Sequence, residues 1–414
     1  MLIRKFGLFS RRLFVYSGSD AFSVRNHPNE KRNLSSFKNP FKSSNSGLDK
    51  VISDAERIVG FPTSFLSLRT LLSDELSGVA MHIRKLVKSN HPLLSIARGV
   101  LFDSKDSVQG RGIVVLLLSK AIVENASGID HIQANEAFNK QRALAELTEL
   151  IHIAFLVHRG IVNKNTIDES SNGSSSDKYW SEMELGNKMA VLSGDFLLAN
   201  ACAALADLKN LQVVNLMSKA ISDMSHGFFI LPESGKFSAM ASLDDLPDST
   251  EKWEDVMCLA YGSLLSNACR SVTEFVDMGD KYGDVCSNFG KHFTLAHQAS
   301  FDFQRISKLD HSNNGKINLA PSELCALPVV IAAHDNGGRK WFEQFLKKSE
   351  KDGRLILMTE ELTSHVRESS SIMEKCRDVG SKHRMLALDC LKELPESEAR
   401  DSLEKLTCAF SDVG

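Results

Sequence analysis

The sequence predicts an all-α protein, and three observations carry that prediction. Gly and Pro are sparse, with nine prolines to punctuate 414 residues. Leu, Ala, Lys, Glu and Ser dominate, a mixture that favours helix over a β-sandwich or barrel. Apolar residues also recur at i, i+3/i+4 and i+7, the period of one helix face.

From Leu48 that period is carried by Val51, Ile52, Ala55, Ile58 and Val59 until Pro62 breaks it, and Ser64 or Ser67 can cap the next helix. Helices are expected over 71–90, 92–102 and 112–124, then a strong amphipathic one over 138–162. The polar stretch 163–181, Ser-rich at 170–176, reads as a loop. Further helices are expected over 182–208 and 211–231, and after a Pro- and Gly-marked connection over 250–278 and 281–305. Residues 310–319 form a polar break. Shorter helices follow near 322–334, 339–350, 354–366, 369–393 and 396–411. No repeat of 20–50 residues interrupts this pattern, so residues 48–412 read as one large helical domain.

Residues 1–45 stand apart. Nine Lys or Arg against Asp20 and Glu30 leave residues 1–42 at +7, so the remainder of a chain of net charge −3 carries −10. Leu2, Ile3, Phe6, Leu8, Phe9, Leu13 and Phe14 form an apolar face beside Arg4, Arg11 and Arg12. A basic, Ser-rich, acid-poor amphipathic start reads as a mitochondrial presequence, which places the body in the matrix. The eight cysteines show no Cys-x-x-Cys pair and no His at zinc spacing, as expected of reduced thiols. There is no basic stripe with interleaved aromatics, so no nucleic-acid partner is expected. Uninterrupted apolar runs such as Gly112–Leu118 fall well short of the ~18 residues of a spanning helix. At most a peripheral contact with the inner membrane is expected.

Three blocks carry a family resemblance. The helix from Glu146 through Glu149 and His152 to His158 resembles the approach to the first aspartate-rich motif of trans-isoprenyl diphosphate synthases. Gly186-Asn187-Lys188, continuing to Gly194-Asp195-Phe196-Leu197-Leu198-Ala199, is similar to that family's Gly-Asn-Lys and Gly-Asp-Tyr-Leu-Leu-Ala helix. Phe289-Gly290 with Ala296-His297-Gln298 resembles its approach to the second aspartate-rich motif. Order and separation agree over about residues 50–410. The resemblance implies an isoprenoid-synthase-type fold, a single large helical bundle.

The motifs themselves are altered. Active members carry Asp-Asp-x-x-Asp on two facing helices, where the i and i+4 side chains share a face. These carboxylates hold Mg²⁺ against an allylic diphosphate and steady the leaving group. Here Arg159, Gly160 and Asn163 stand at the first motif, and Phe301, Asp302 and Arg305 at the second. Asp302 alone keeps a carboxylate. A fixed like charge ~4 Å from a cation costs ~4 kcal/mol at an effective dielectric of 20, so Arg159 and Arg305 oppose any metal there. The basic segment that grips the second diphosphate corresponds to Ser107–Gly112 and keeps only Arg111; the family lysine is replaced by Ala260. The expectation is no catalytic residue and no metal bound by this chain. Within the family the pattern resembles the second, non-catalytic subunit of decaprenyl or solanesyl diphosphate synthase. That implies a hetero-oligomer, with Mg²⁺ held by a catalytic partner subunit that makes the ubiquinone side chain. Two other readings stand: a non-enzymatic module that binds a prenyl lipid or regulates quinone synthesis, and a divergent enzyme that uses another ligand set.

Several patterns receive plainer readings. Asp244-Asp245-Leu246-Pro247-Asp248 spells a literal motif, but Pro247 and the absence of a helix leading into it make it a turn. Glu149-x-x-His152 lacks the second Glu-x-x-His of a di-iron bundle, so both are read as polar groups of the interior. His158 is read likewise, Gly194 as a site of internal packing, and Gln298 as retained scaffold. Asp195 is read as making a helix-interior hydrogen bond or an ion pair to Lys188, a reading at least as good as a part in chemistry.

Overall fold

The apolar period is realised as thirteen α-helices and one π segment in the described residues of the computed structural model: 46–60, 110–123, 131–161, 175–231, 246–307, 324–335, 338–352 and 355–410. All lie in the compact unit Asn45–Gly414, and no strand occurs among them. The basic leader and the expected helices at 71–90 and 92–102 lie outside the described residues.

Helix α1 (Ser46–Val59) ends at Gly60, whose φ of 90° lies in the left-handed region that suits a helix stop. Helix α2 (Gly110–Val123) is buried along one unbroken stretch from Gly112 to Ser119, as befits a sequence with no polar face. Helix α3 (His131–Arg159) starts seven residues ahead of the expected boundary. Its extra turns hold the Glu136–Lys140 pair at i, i+4, a local aid to helix formation. Helix α4 (Ser175–Asp207) also starts early, so part of the Ser-rich stretch expected as a loop is helical. Asn210 caps α5 (Leu211–Ile230) by accepting from the Val213 amide, and Ser249 caps α6 (Thr250–Met257) by accepting from Lys252.

The expected helix 250–278 is not continuous. A π segment, Cys258–Gly262, separates α6 from α7 (Ser263–Thr273). Its cause lies across the interface. Gly227 of α5 meets the backbone of Ala260, and a Cβ there would overlap Ala260 N and lie 2.7 Å from its Cα. Pressed backbone to backbone, the helix takes an extra residue into its turn, a local widening common near functional sites.

Helix α8 (Gly279–Ser307) lies along α7 and along α12 (Ser370–Lys392), where Ser369 supplies the cap. Buried His383 on α12 meets His292 on α8, Nδ1 to Nδ1 at 2.9 Å. Between them in sequence stand α9 (Leu327–His334), buried from Leu327 to Ala333, α10 (Gly338–Asp352) and α11 (Leu355–Glu368); α13 (Glu398–Phe410) returns to α1 and α2.

Two apolar clusters result. One joins α1–α5 and α7 to the first half of α8 and the α12–α13 end; the other joins α6, the π segment, the second half of α8 and α9–α12. Phe228 packs against both, so the seam between the clusters passes the ends of α3 and α5. Helix α4 is peripheral and rests chiefly on α3. Its stretch Ser181–Asp207 is long and apolar enough by mean hydropathy to cross a membrane, and 28% of its apolar window is buried. Counting uninterrupted apolar runs overlooked it, because Lys188 and Asp195 divide the stretch.

The Gly227–Ala260 approach sets a test of the packing. Gly227→Ala should lower stability by about 1–3 kcal/mol through overpacking against backbone. Thermal melting followed by circular dichroism measures it, and an unchanged Tm would remove this contact as the cause of the π turn.

Candidate functional site

The first-motif position falls on the last turn of α3. Arg159 turns inward and donates from Nη1 to the Tyr261 hydroxyl at 2.8 Å. Its guanidinium carbon lies 5.1 Å from the Phe228 ring centre and 5.6 Å from that of Tyr261, within cation–π range. Phe228 meets Tyr261 edge-on at 5.6 Å and Phe155 at 5.7 Å. The π segment aims Tyr261 at this point: Ala260 faces the α5 backbone and Tyr261 follows it into the gap. Burial raises the Tyr261 pKa, with the Arg159 charge opposing. Gly160 is buried in the turn that ends α3, and Asn163 lies outside the described residues.

At the second motif, Asp302 is buried and both oxygens are engaged. Oδ1 accepts from Gln298 Nε2 at 2.7 Å and Oδ2 from the Leu327 amide at 2.9 Å. Leu327 is the first residue of α9, and Ala326 at the cap position has no side-chain acceptor. Asp302 therefore caps α9 from a different helix, where a negative charge also meets the positive end of the helix dipole. Burial still pushes its carboxyl up to about 7 against these bonds. Phe301 is exposed, with Arg305 over its ring at 6.0 Å and His297 stacked on it at 6.5 Å.

Glu149 does the same for α2. Its Oε1 accepts from the Gly112 amide at 2.7 Å, in the first turn of that helix, while Oε2 is buried without a partner. Gly112 allows this approach, since a Cβ there would lie 3.3 Å from Glu149 Cγ. Burial pushes this carboxyl too up to about 7, offset first by the Arg111 charge. Buried His152 is held well below its ordinary pKa by desolvation, then by Arg111, Arg159 and His297.

The remaining retained residues form a separate contact between α3 and α4. His158 Nε2 lies 3.2 Å from Asp195 Oδ1 and 3.3 Å from the Val191 carbonyl. Asp195 thus meets His158 rather than Lys188. A Cβ on Gly194 would overlap the His158 ring, which explains glycine there as internal packing. His158 is half-exposed at this contact, not the interior residue that sequence suggested. Asp248 turns to Lys252 in the first turn of α6, as a helix-entry residue does; Asp244 and Asp245 lie outside the described residues.

This donor set does not fit divalent metal binding at the motif positions. Mg²⁺ needs oxygen donors in near-octahedral array, yet the one motif carboxylate has both oxygens committed to hydrogen bonds, and Arg159 and Arg305 replace two others. Among the described residues no group of three or more His, Cys, Asp and Glu is placed to hold a metal ion. Sequence reasoning missed Phe228, Tyr261 and the capping roles of Glu149 and Asp302. The aromatic spacing carries no signal, because α5 and the π segment meet only in the fold.

Asp302→Ala should leave the buried Leu327 amide unpaired and cost about 1–3 kcal/mol, read as a fall in Tm; no change would refute the remote cap. Glu149 gives a pH test. Its folded pKa of about 7 exceeds the ordinary carboxyl value. Its contribution to stability is therefore complete below the unfolded pKa of ~4.3 and is lost as pH rises through about 7. Glu149→Gln can still accept from Gly112 and never ionises. The variant should gain on the parent chain between pH 5 and pH 8, so a pH-independent difference in melting would contradict the assignment.

Comparison with known proteins supplies the context. Residues 105–361 match the polyprenyl synthetase family. Human all trans-polyprenyl-diphosphate synthase PDSS2 is 41% identical over 367 residues, covering 88% of this chain and 87% of the human one. Decaprenyl-diphosphate synthase of Dictyostelium discoideum is 30% identical over 342 residues, covering 81% and 66%. Among solved structures, polyprenyl synthetase from Streptomyces coelicolor aligns with a TM-score of 0.58 at 17% identity, covering 88% and 99%. The geranylgeranyl pyrophosphate synthase of Lactobacillus brevis aligns at 0.55 with 16% identity, covering 83% and 99%. At such identities these likenesses concern the fold, which is the all-α isoprenoid-synthase bundle.

Proposed function

The chain belongs to the polyprenyl synthetase family, and we propose that it serves there as the non-catalytic subunit of a heteromeric all-trans-polyprenyl diphosphate synthase. One observation carries this reading. At the two motif positions the structure has an arginine packed against two aromatic rings and an aspartate with one oxygen capping a helix and the other bonded to Gln298. Neither can gather metal around a diphosphate, while the bundle that presents them is intact. The partner subunit would bind Mg²⁺ and condense isopentenyl diphosphate onto an allylic diphosphate. This chain would assemble with it and hold its fold in shape. The likeness to PDSS2 and to a decaprenyl-diphosphate synthase supports a long prenyl product, of the kind that becomes the ubiquinone side chain. The basic leader supports a mitochondrial setting, in the matrix with peripheral access to the inner membrane.

The surface for such a partner is best supplied by α4. Leu185, Lys188, Leu192, Asp195, Ala199, Cys202 and Ala206 are all exposed and alternate in steps of three and four. That 3.5-residue period is the seam of one helix lying along another. A stable pair needs about 800 Å² from each partner, and a helix that rests on its own bundle by one face has such a face to offer.

Reconstitution tests the proposal. The full chain is purified alone and together with a catalytic polyprenyl synthase subunit, and polyprenyl product is measured with Mg²⁺. Product is expected from the pair and none from the lone chain, even after Arg159→Asp, Gly160→Asp and Asn163→Asp are combined, because Phe301 and Arg305 still occupy the second motif. Leu192→Glu should abolish association without lowering Tm. Turnover by the unaltered lone chain, or a partner that neither binds nor gains activity, would overturn the reading.

A further inference from the structure

Asp195 takes no part in the capping and cation–π contacts of the motif positions. It stands in the middle of α4, with its side chain 65% exposed. Its Oδ1 lies 3.2 Å from His158 Nε2, which also lies 3.3 Å from the Val191 carbonyl. Two acceptors facing one ring nitrogen place a proton on Nε2, so the ring donates toward α4 whatever its charge. His158 comes this close because position 194 is glycine; a Cβ there would overlap the ring. The imidazole therefore fills a notch in α4 and holds the Asp195 carboxylate by one oxygen. Among the described residues Oδ2 has no partner.

That open oxygen is costly at an interface. The residues one turn away, Val191, Leu192, Leu198 and Ala199, carry no charge, and Val191 and Leu192 are exposed. Along the exposed seam of α4, Leu185, Leu192, Ala199 and Ala206 recur at steps of seven, and Lys188, Asp195 and Cys202 do likewise. When a second helix covers this seam, the apolar residues gain and the carboxylate loses water. Lys188 escapes that cost, since its long stem lets the ammonium reach the rim. Asp195, with one methylene, does not. A carboxylate taken from water opposes association unless it is paired. His158 supplies one donor, and the other has to come from the chain that docks.

We propose that Asp195, aimed by His158, is the register-setting contact of the α4 seam and receives an Arg or Lys side chain from the catalytic subunit. The inference deepens the subunit reading and rests on it. A polar group at an inner position of a helix seam fixes how two helices align and which chain is accepted. A partner helix shifted by one turn, or one with an apolar residue opposite, leaves the carboxylate covered and unpaired. A cationic side chain fits because it both donates to Oδ2 and neutralises the charge. Ala199, Cys202 and Ala206 are small, so a facing helix can come close beyond Asp195 and exclude water from the pair. His158 is a positioning residue and acts through Asp195. Within the lone chain the same pair is exposed and adds little to stability.

Surface plasmon resonance tests it, with the catalytic polyprenyl synthase subunit immobilised and the full chain in solution. Asp195→Asn and Asp195→Ala should each weaken association by at least roughly tenfold, chiefly through faster dissociation, at an unchanged Tm. His158→Ala should weaken it by a similar factor. His158→Gln, whose side-chain amide can still donate to Oδ1, should restore most of the affinity, a split that a merely structural histidine would not give. Affinity indifferent to the two Asp195 variants, or to His158→Ala, while Leu192→Glu still abolishes binding overturns this inference and leaves the surface standing. Binding indifferent to Leu192→Glu as well, or no binding by the parent chain, overturns the surface and this inference together. Self-association of the lone chain, or its flotation with phosphatidylcholine vesicles, that Leu192→Glu abolishes gives the face to a second copy or to lipid and likewise overturns the proposal.

Discussion

Helix α9 starts inside this bundle with an amide that its own cap position cannot satisfy, and the Gly112 amide in the first turn of α2 is likewise met from another helix. The α9 cap position is Ala326, and the first turn of α2 contains Gly112 and no acid. In a low-dielectric interior an unpaired amide costs as much as a lost hydrogen bond. Asp302 and Glu149 meet that need from neighbouring helices at 2.9 and 2.7 Å. Once they do, their carboxylates are no longer available as ligands. Asp302, the one motif carboxylate, is thereby committed to the fold rather than left open to a ligand.

How much of this was legible in the sequence divides along physical lines. Helix class and most boundaries follow from local period and capping, and Asn210, Ser249 and Ser369 act where a cap residue should. The motif positions were assigned from the resemblance, and the structure places Arg159 on the last turn of α3 and Phe301, Asp302 and Arg305 on α8. What could not be read was any contact formed between elements distant in sequence. The π turn exists because Gly227 presses on Ala260, and neither neighbourhood alone signals it. The partner of Asp195 was misjudged for the same reason. Lys188 lies on its own helix seven residues away, whereas His158 arrives from α3 through a gap that Gly194 leaves open.

Helix α4 shows how one sequence can satisfy two criteria that point in different directions. Its mean hydropathy suits a membrane span, yet Asp195 in its middle pairs with His158 of α3. An acid at the centre of a lipid-crossing helix carries a penalty of several kcal/mol. The same acid on a helix docked against protein is ordinary. The apolar residues of α4 therefore read better as two faces, one packed on α3 and one offered to a protein partner, than as a lipid-facing cylinder.

Replacement of the motif acids could have taken many chemical forms, and neutral side chains would have abolished metal binding equally well. Arginine at positions 159 and 305 is a more specific outcome. Arg159, though exposed, is bonded to the Tyr261 phenol and held against two rings, while Arg305 lies over Phe301. Such placement restrains a long flexible side chain at an entropic cost of ~2 kcal/mol and sets two cations near one another. A fold gains nothing from that repulsion by itself. Two fixed guanidinium groups at these positions oppose a divalent cation there, whatever else they contact.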